Sequence, residues 1–345
     1  TIARDVHNPL IQRVFIFDAK SLTRDKKKPP VVPRVVLKGS SRVSEVDLEI
    51  SDLELEELSR YGIIGPDGER RGPLSLPLTY LKTIRDYFRS LDRRPTDVEI
   101  EALAQTWSEH CKHTIFASPI DDIPDGIYET YIKKATNEIR GKKGKKDFCV
   151  SVFKDNSGGI VFDDEWVIPQ KVETHNSPSA LDPFGGAITG IVGVNRDSLG
   201  FGLGAKPVAN TYGFCFAPPE DSRRLYRDSE MNTEMLSSRR IAEGVIEGVN
   251  AGGNQSGIPT PNGFMIFDDS YRGKPLVFVG TVGLIPKKRG GRTLYKKRAQ
   301  KGDYIVVVGG RVGLDGIQGA TFSSTELNEG SPATSVQIGD PITQK

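Results

Sequence analysis

Val167-Ile-Pro-Gln-Lys-Val-Glu-Thr-His-Asn-Ser-Pro-Ser179 begins as an apolar run and turns polar. Its alternation predicts a strand with Lys171 and Glu173 on one face, because side chains two apart in a strand point the same way. The strand runs into a polar turn, Thr174-His175-Asn176, ended by Pro178. A lysine for phosphate, a carboxylate for Mg²⁺ and a histidine for proton transfer are the parts that phosphoryl transfer needs. A hydrophilic edge strand is the alternative.

The next stretch, Asp182 to Gly202, is rich in glycine and carries Arg196 and Asp197. Glycines let backbone N–H groups approach phosphate oxygens. Arg196 can grip a phosphate bidentately, and Asp197 offers a hard oxygen to Mg²⁺. Turns or tight packing would need the same glycines. The stretch has no Walker A signature and no dinucleotide-binding glycine pattern between a strand and a helix, which disfavours a P-loop and a Rossmann site.

Strands are predicted on both sides: 148–153, 159–162, 211–217, 264–267 and 276–285. A helix over 234–250 places Met235, Ile241, Val245 and Val249 roughly on one face, and Asn250 to Gly263 reads as a loop, structural or ligand-binding. Upstream, Thr96 and Glu99 fit a capping box, opening a helix through Ile100, Leu103, Ala104 and Trp107 toward His110. Trp107-Ser-Glu-His-Cys-Lys-His-Thr then puts His110, Lys112 and His113 at a helix end. A solvated helix terminus accounts for the cations there, and so does a site facing phosphate or carbonyl.

Residues 46–95 read as helical, with Leu53, Leu55, Leu58 and Tyr61 on one stripe and an amphipathic helix from Leu78 to Leu91. Residues 1–45 hold a short strand and a Pro-rich linker. Lys287 to Lys301 is a basic loop between domains. Asp303 onward is a strand into the glycine-rich Gly309–Ser324, either an anion cradle or a hairpin, and then Val336-Gln337. This is an α/β (α+β) chain with a mixed sheet and helices, expected to divide into 1–45, a helical linker region over 46–95, a nucleotide-binding domain over 96–286 and the start of another over 302–345.

A net charge of +2 on 345 residues gives no global reason to expect nucleic acid or an anionic membrane as partner. No apolar stretch approaches the ~20 residues that span a bilayer. The start lacks both Met and an apolar signal core, so it is expected to be a cut or processed position. The three cysteines, Cys111, Cys149 and Cys215, are odd in number and widely spaced, which points to a reducing compartment such as the cytoplasm.

Together SEHCKH, KVETHN, the Gly-Gly to Asn-Arg-Asp run, GGRVGLDGIQGATFSS and VQIGDP resemble the phosphoribosylformylglycinamidine synthases of the aminoimidazole ribonucleotide synthetase superfamily. The resemblance runs in order from about Thr96 to Lys345, and more weakly to the front, where Asn8-Pro-Leu-Ile-Gln looks like the end of a PurS-like module. It implies an ATP-dependent ligase of purine biosynthesis. ATP phosphorylates the amide oxygen of formylglycinamide ribonucleotide, and ammonia from glutamine displaces phosphate to give the amidine. His110 and His175 match catalytic histidines, and Lys171 and His113 match ATP contacts, His113 standing where an aromatic is usual. Glu173 and Asp197 match Mg²⁺ ligands; Thr174, Asn176, Ser177, Arg196 and Gln337 match substrate contacts. Ser177 departs from the family's usual second histidine; a hydroxyl donates to phosphate but carries no charge.

A glutaminase needs a nucleophilic Cys with a His partner, and no histidine follows His175, so a separate domain or subunit is expected to supply ammonia. Both ends of the chain read as truncated. The 345 residues alone are therefore expected to turn over little or not at all, and to self-associate as a dimer. The alternatives are another ATP-using member of the superfamily and a non-catalytic nucleotide-binding or assembly module.

Overall fold

A computed structural model describes residues 43–65, 68–306, 316–323, 336–337 and 339–344. The expected strand and Pro-rich linker before residue 43, and half of the glycine-rich stretch 309–324, lie outside them. The chain divides into two compact units between Ala104 and Gln105.

The first unit is helical. α1 (Asp52–Tyr61) opens on a full capping box between Ser51 and Glu54 and buries Leu55 and Leu58. Leu53 and Tyr61, expected on the same stripe, are exposed, so the buried face is narrower than the sequence suggested. α2 (Leu78–Ser90) buries Leu81, Ile84 and Phe88, spaced three and four apart as one helical face requires. Thr96 and Glu99 form the expected capping box of α3 (Asp97–Trp107): Glu99 N–H donates to Thr96 Oγ1 at 3.3 Å, and Thr96 N–H donates to Glu99 Oε2 at 2.9 Å. That helix does not continue to His110. Ser108, already in the second unit, is extended (φ −61°, ψ 155°) and starts a separate turn there, α4 (Glu109–Lys112), followed by α5 (Thr114–Ala117).

In the second unit a π-helix, Tyr128–Lys133, leads into α6 (Lys134–Lys143) and then into a mixed sheet. Its strands are β1 (Cys149–Ser151), β2 (Gly158–Val161), β3 (Trp166–Thr174), β4 (Lys206–Phe216), β5 (Asn262–Phe267) and β6 (Leu276–Pro286). The six-stranded order is β1-β2-β3-β6-β4-β5, antiparallel except for β4 with β5. The parallel pair needs a crossover, and a helix between β4 and β5 supplies it.

Between β3 and β4 the glycine-rich run serves tight packing, one of the readings its glycines allow. After a short helix, α7 (Asn176–Leu181), it forms α8 (Pro183–Gly200), an 18-residue helix. Its signals are Asp182, whose carboxylate accepts from Gly185 N–H at 3.1 Å, and Pro183 in the first turn. The crossover helix α9 (Ser238–Ser256) begins later than expected, leaving Met235 outside, and continues through the segment from Asn250 that reads as a loop. Glycines let α8 and α9 approach: a Cβ on Gly248 would lie 2.5 Å from the Phe184 carbonyl oxygen. Ile188, Ile191 and Val192 of α8, Ile241, Val245 and Val249 of α9, and Phe214, Val277 and Val279 of the sheet form one core.

After β6, the segment expected as a plain loop carries a small hairpin of β7 (Lys288–Arg289) and β8 (Arg292–Thr293). Residues 303–306, expected as a strand, have no regular structure, and Tyr304 and Ile305 are exposed. Two short helices close the described chain, α10 (Gly319–Ser323) and α11 (Pro341–Gln344). No helix among the described residues is long and apolar enough to cross a membrane.

Candidate active site

β3 is an inner strand, paired with β2 on one side and β6 on the other. Lys171 is paired with Thr281 and Glu173 with Val279, so both point to the face that α8 covers, where Val279 is fully buried. Asp197 comes from the last turn of α8. The Lys171 ammonium lies 3.0 Å from Asp197 Oδ2 and 3.4 Å from Glu173 Oε2. Burial would lower the pKa of Lys171, but the Asp197 hydrogen bond and the two carboxylate charges outweigh it and raise the pKa. The amine therefore stays charged between two acids.

The two carboxylates thus face one point within reach of a single cation. Hard oxygens of this kind suit Mg²⁺, which keeps several waters and is usually held by one or two carboxylates plus phosphate. Glu173 and Asp197 fit that role. Among the described residues no group of three or more His, Cys, Asp or Glu side chains is placed to cage a metal.

His175 follows β3 directly. Its N–H donates to the Val277 carbonyl at 2.8 Å, and its side chain packs on α8, where a Cβ on Gly190 would lie 3.1 Å from His175 Cβ. Nδ1 is buried without a hydrogen-bond partner. Burial pushes the imidazole down to about 4, and the nearby positive charge of His110 acts in the same direction. A hydrogen bond to the Gly186 backbone acts the other way without offsetting the burial. His175 is therefore a neutral imidazole at pH 7.

The other expected residues are spread around this cluster. Thr174 is exposed at the end of β3. Asn176 Oδ1 accepts from Val277 N–H at 2.8 Å, and Ser177 is buried, so these two side chains shape the turn from within. Arg196 is exposed, one residue before Asp197, and donates from Nε to Gln344 Oε1 at 2.9 Å. Gln337 is tied to α8 by its carbonyl, which accepts from Thr189 Oγ1 at 2.9 Å. His110 and His113 are both exposed. His113 adopts the left-handed conformation (φ 54°) at the junction of α4 and α5.

Sequence reading passed over several supporting residues. Glu109 fixes the His113 junction, its carboxylate accepting from Thr114 N–H at 2.9 Å and Ile115 N–H at 2.8 Å. Asn156 donates from Nδ2 to Asp197 Oδ1 at 3.2 Å. Beneath the cluster, buried Asn210 donates to Asn195 Oδ1 at 2.7 Å and to the Gly280 carbonyl at 3.1 Å, joining α8 to the sheet. Glu109 and Asn195 stood inside stretches the sequence had flagged; Asn156 and Asn210 depend on contacts distant along the chain.

The family described as "Formylglycinamide ribonucleotide amidotransferase linker domain" matches residues 69–113, and "AIR synthase related protein, N-terminal domain" matches residues 154–285. Subunit PurL of phosphoribosylformylglycinamidine synthase from Thermoplasma acidophilum is 37% identical over 279 residues, covering 80% of this chain and 33% of that protein. The Thermoplasma volcanium subunit is 35% identical over 277 residues, covering 80% and 32%. Among solved structures, T. maritima PurL complexed with FGAR has a TM-score of 0.54 at 29% identity, over 76% of this chain and 35% of that one. The Thermotoga maritima phosphoribosylformylglycinamidine synthase II structure gives 0.50 at 27% identity, over 76% and 33%. The chain spans about a third of the length of the curated relatives it matches. Its linker and AIR synthase-related segments, and the homologous PurL subunits, make the chain similar to about a third of a phosphoribosylformylglycinamidine synthase.

Proposed function

We propose that this chain carries the ATP- and Mg²⁺-binding part of an ATP-dependent ligase of purine biosynthesis. The ligase converts formylglycinamide ribonucleotide to its amidine, using ammonia that a glutaminase domain or subunit releases from glutamine. One observation carries the reading: the Lys171 ammonium is shared by Glu173 and Asp197 at the end of a strand that delivers a neutral histidine next in line. Lys171 is placed to meet phosphate oxygens. Glu173 and Asp197 would hold Mg²⁺, which neutralises charge on the transferring phosphoryl group. A neutral imidazole takes a proton from attacking ammonia, so the low pKa of His175 keeps it in the form a base needs. His110, whose charge reaches His175, would help stabilise the same reacting amide, and His113 would contact ATP. Thr174, Arg196 and Gln337 offer exposed groups to the substrate, with Asn176 and Ser177 holding the turn beside them.

The relative solved with FGAR supports the choice of substrate. A non-catalytic nucleotide-binding module is the competing reading, and it gives no reason to keep Lys171, Glu173, His175 and Asp197 together. Phosphate release by the active synthetase carrying this sequence should depend on formylglycinamide ribonucleotide. Mg²⁺-dependent ATP binding by the chain should be lost in Glu173→Ala. Unchanged ATP binding in that variant would sink the reading.

The same reading includes self-association in the cytoplasm. β5 ends the sheet with every residue exposed, including Phe264, Met265, Ile266 and Phe267. An edge of this composition favours pairing with a second copy. A dimer burying more than about 1,000 Å² is expected. A monomer by light scattering across a wide concentration range would count against it.

A further inference from the structure

Asp197 has two oxygens with different duties. Oδ2 meets Lys171 at 3.0 Å, while Oδ1 accepts from Asn156 Nδ2 at 3.2 Å. Asn156 lies in the turn between β1 and β2, and its amide is ambiguous by nature. Turned one way it donates to a carboxylate; turned the other it presents an oxygen to an oxygen. What decides the orientation is Lys297. Its ammonium donates to Asn156 Oδ1 at 2.9 Å, which leaves the amide nitrogen for Asp197.

Lys297 is itself held from three sides. It pairs with the Asp155 carboxylate at 2.7 Å and donates to the Gly200 carbonyl, at the C-terminal end of α8 where cations are favoured. Asp155 is largely buried and also accepts from Gly202 N–H at 3.2 Å. The segment leading to Lys297 is anchored. Leu203 N–H donates to the Leu294 carbonyl at 2.8 Å, and Leu294 and Tyr295 pack on Val167, Phe201, Ala205 and Ile285. Gly202 (φ 56°) is required there, because a Cβ would collide with the Leu294 carbonyl. The basic stretch after β6, which the sequence presents as a connector, thus reaches back to a carboxylate of the candidate site.

The geometry points to Lys297 and Asn156 as positioning residues for Asp197: the lysine sets the amide, and the amide turns the carboxylate so that Oδ2 is presented to the cation. The inference rests on Asp197 as a Mg²⁺ ligand. Partners of this kind behind a metal ligand typically change affinity by about tenfold to a hundredfold. Because Asn156 is exposed, the lower end of that range is expected.

The test uses the 345-residue chain and Mn²⁺ as a paramagnetic substitute for Mg²⁺, with bound and free metal separated by electron paramagnetic resonance. Lys297→Met and Asn156→Leu should each weaken Mn²⁺ about tenfold. The double variant should be no weaker than either single, since both break one relay. Lys297→Arg should recover most of the loss. A metal-free readout runs beside it: in chain labelled with ¹⁵N-asparagine, the Asn156 side-chain amide pair should move in both Lys297→Met and Asp197→Asn. Folded Lys297→Met with wild-type Mn²⁺ affinity, while Asp197→Asn loses the ion, would overturn the inference and leave the site reading intact. Additive losses, or an Asn156 amide signal indifferent to Lys297, would overturn it equally. Undiminished Mn²⁺ binding in Asp197→Asn would instead remove the site reading on which the inference rests.

Discussion

Two histidine-bearing regions stand out in the sequence, and the fold treats them in opposite ways. The end of β3 and His175 are fixed by pairing with β6, by the packing of α8 and by burial. The segment from Ser108 to Ala117 is two four-residue helices with no buried residue in either, joined at His113 by a left-handed residue and braced by Glu109. A preorganised group is held by neighbours whose own positions are already determined. His175 and its companions meet that condition, whereas His110 and His113 are exposed on two short helices. On the proposed reading, the larger share of the chemistry falls to the strand and a smaller one to His110.

Removing the two acids is the strongest way to break this contrast. Glu173→Ala or Asp197→Ala in the active synthetase should lower turnover by orders of magnitude, because a metal's charge in the transition state would be lost with its ligand. Each change also leaves Lys171 with one acid instead of two. Initial-rate measurements at ordinary Mg²⁺ check this, and near-normal rates in both variants would remove the pair from the site.

The two histidines come next. His175→Ala should cost turnover about 10²–10⁴-fold, the usual range for a general acid–base group, with less effect on ATP binding. His110→Ala should cost less, since His110 is exposed. An equal or larger loss at His110 would reverse the assignment drawn from the comparison.

Burial of His175 also predicts a pH dependence of stability. Its pKa is pushed down to about 4 in the fold, against about 6.5 in an unfolded chain. Between those values the unfolded state binds a proton that the folded state refuses. Stability is therefore fully present above about pH 6.5 and falls as the pH drops toward 4. The loss amounts to at most about 3.5 kcal/mol, at about 1.4 kcal/mol for each pH unit crossed between the two values. Urea midpoints at pH 7 and pH 5 should separate in the wild type and draw together in His175→Gln. Parallel behaviour of the two proteins would show that His175 is not the group responsible.

Much of this was legible in the sequence. The strand over 166–174 and the common face of Lys171 and Glu173 follow from alternation alone, and the Thr96 capping box from residue types three apart. Asp197 was legible as an acid but not as a helix residue. Glycine weakens every local helix signal, and what stabilises α8 is tertiary: packing against α9 and the sheet. For the same reason the helix before His110 was drawn too long, since Glu109 to Lys112 has helix-favouring residues and only Ser108 breaks the run. Asn156 and Lys297 were not legible at all. Their meaning lies in a contact between residues 141 apart in sequence.

The smallest expected effect tests whether the glycine run is a helix held by packing or a loop that needs backbone freedom. Two glycines of α8 separate the cases. At Gly186 a Cβ would lie 2.5 Å from the Pro178 carbonyl carbon and from Ser179 N, both backbone atoms that cannot step aside. Gly186→Ala should therefore destabilise the fold by about 1–3 kcal/mol, as overpacking does. At Gly193, in the same helix, a Cβ would meet nothing within 4 Å. Alanine there keeps the helical backbone and reduces the freedom of the unfolded chain, so Gly193→Ala should stabilise by about 0.5–1 kcal/mol. Urea unfolding of the two variants, with unchanged slopes, gives both numbers. A loop that cradles an anion would tolerate alanine poorly at both places and gain stability at neither. A gain at Gly193 beside a loss at Gly186 is the signature of one helix with a packed face and an open one. Destabilisation at Gly193 would mean that the backbone there needs a conformation which α8 does not have.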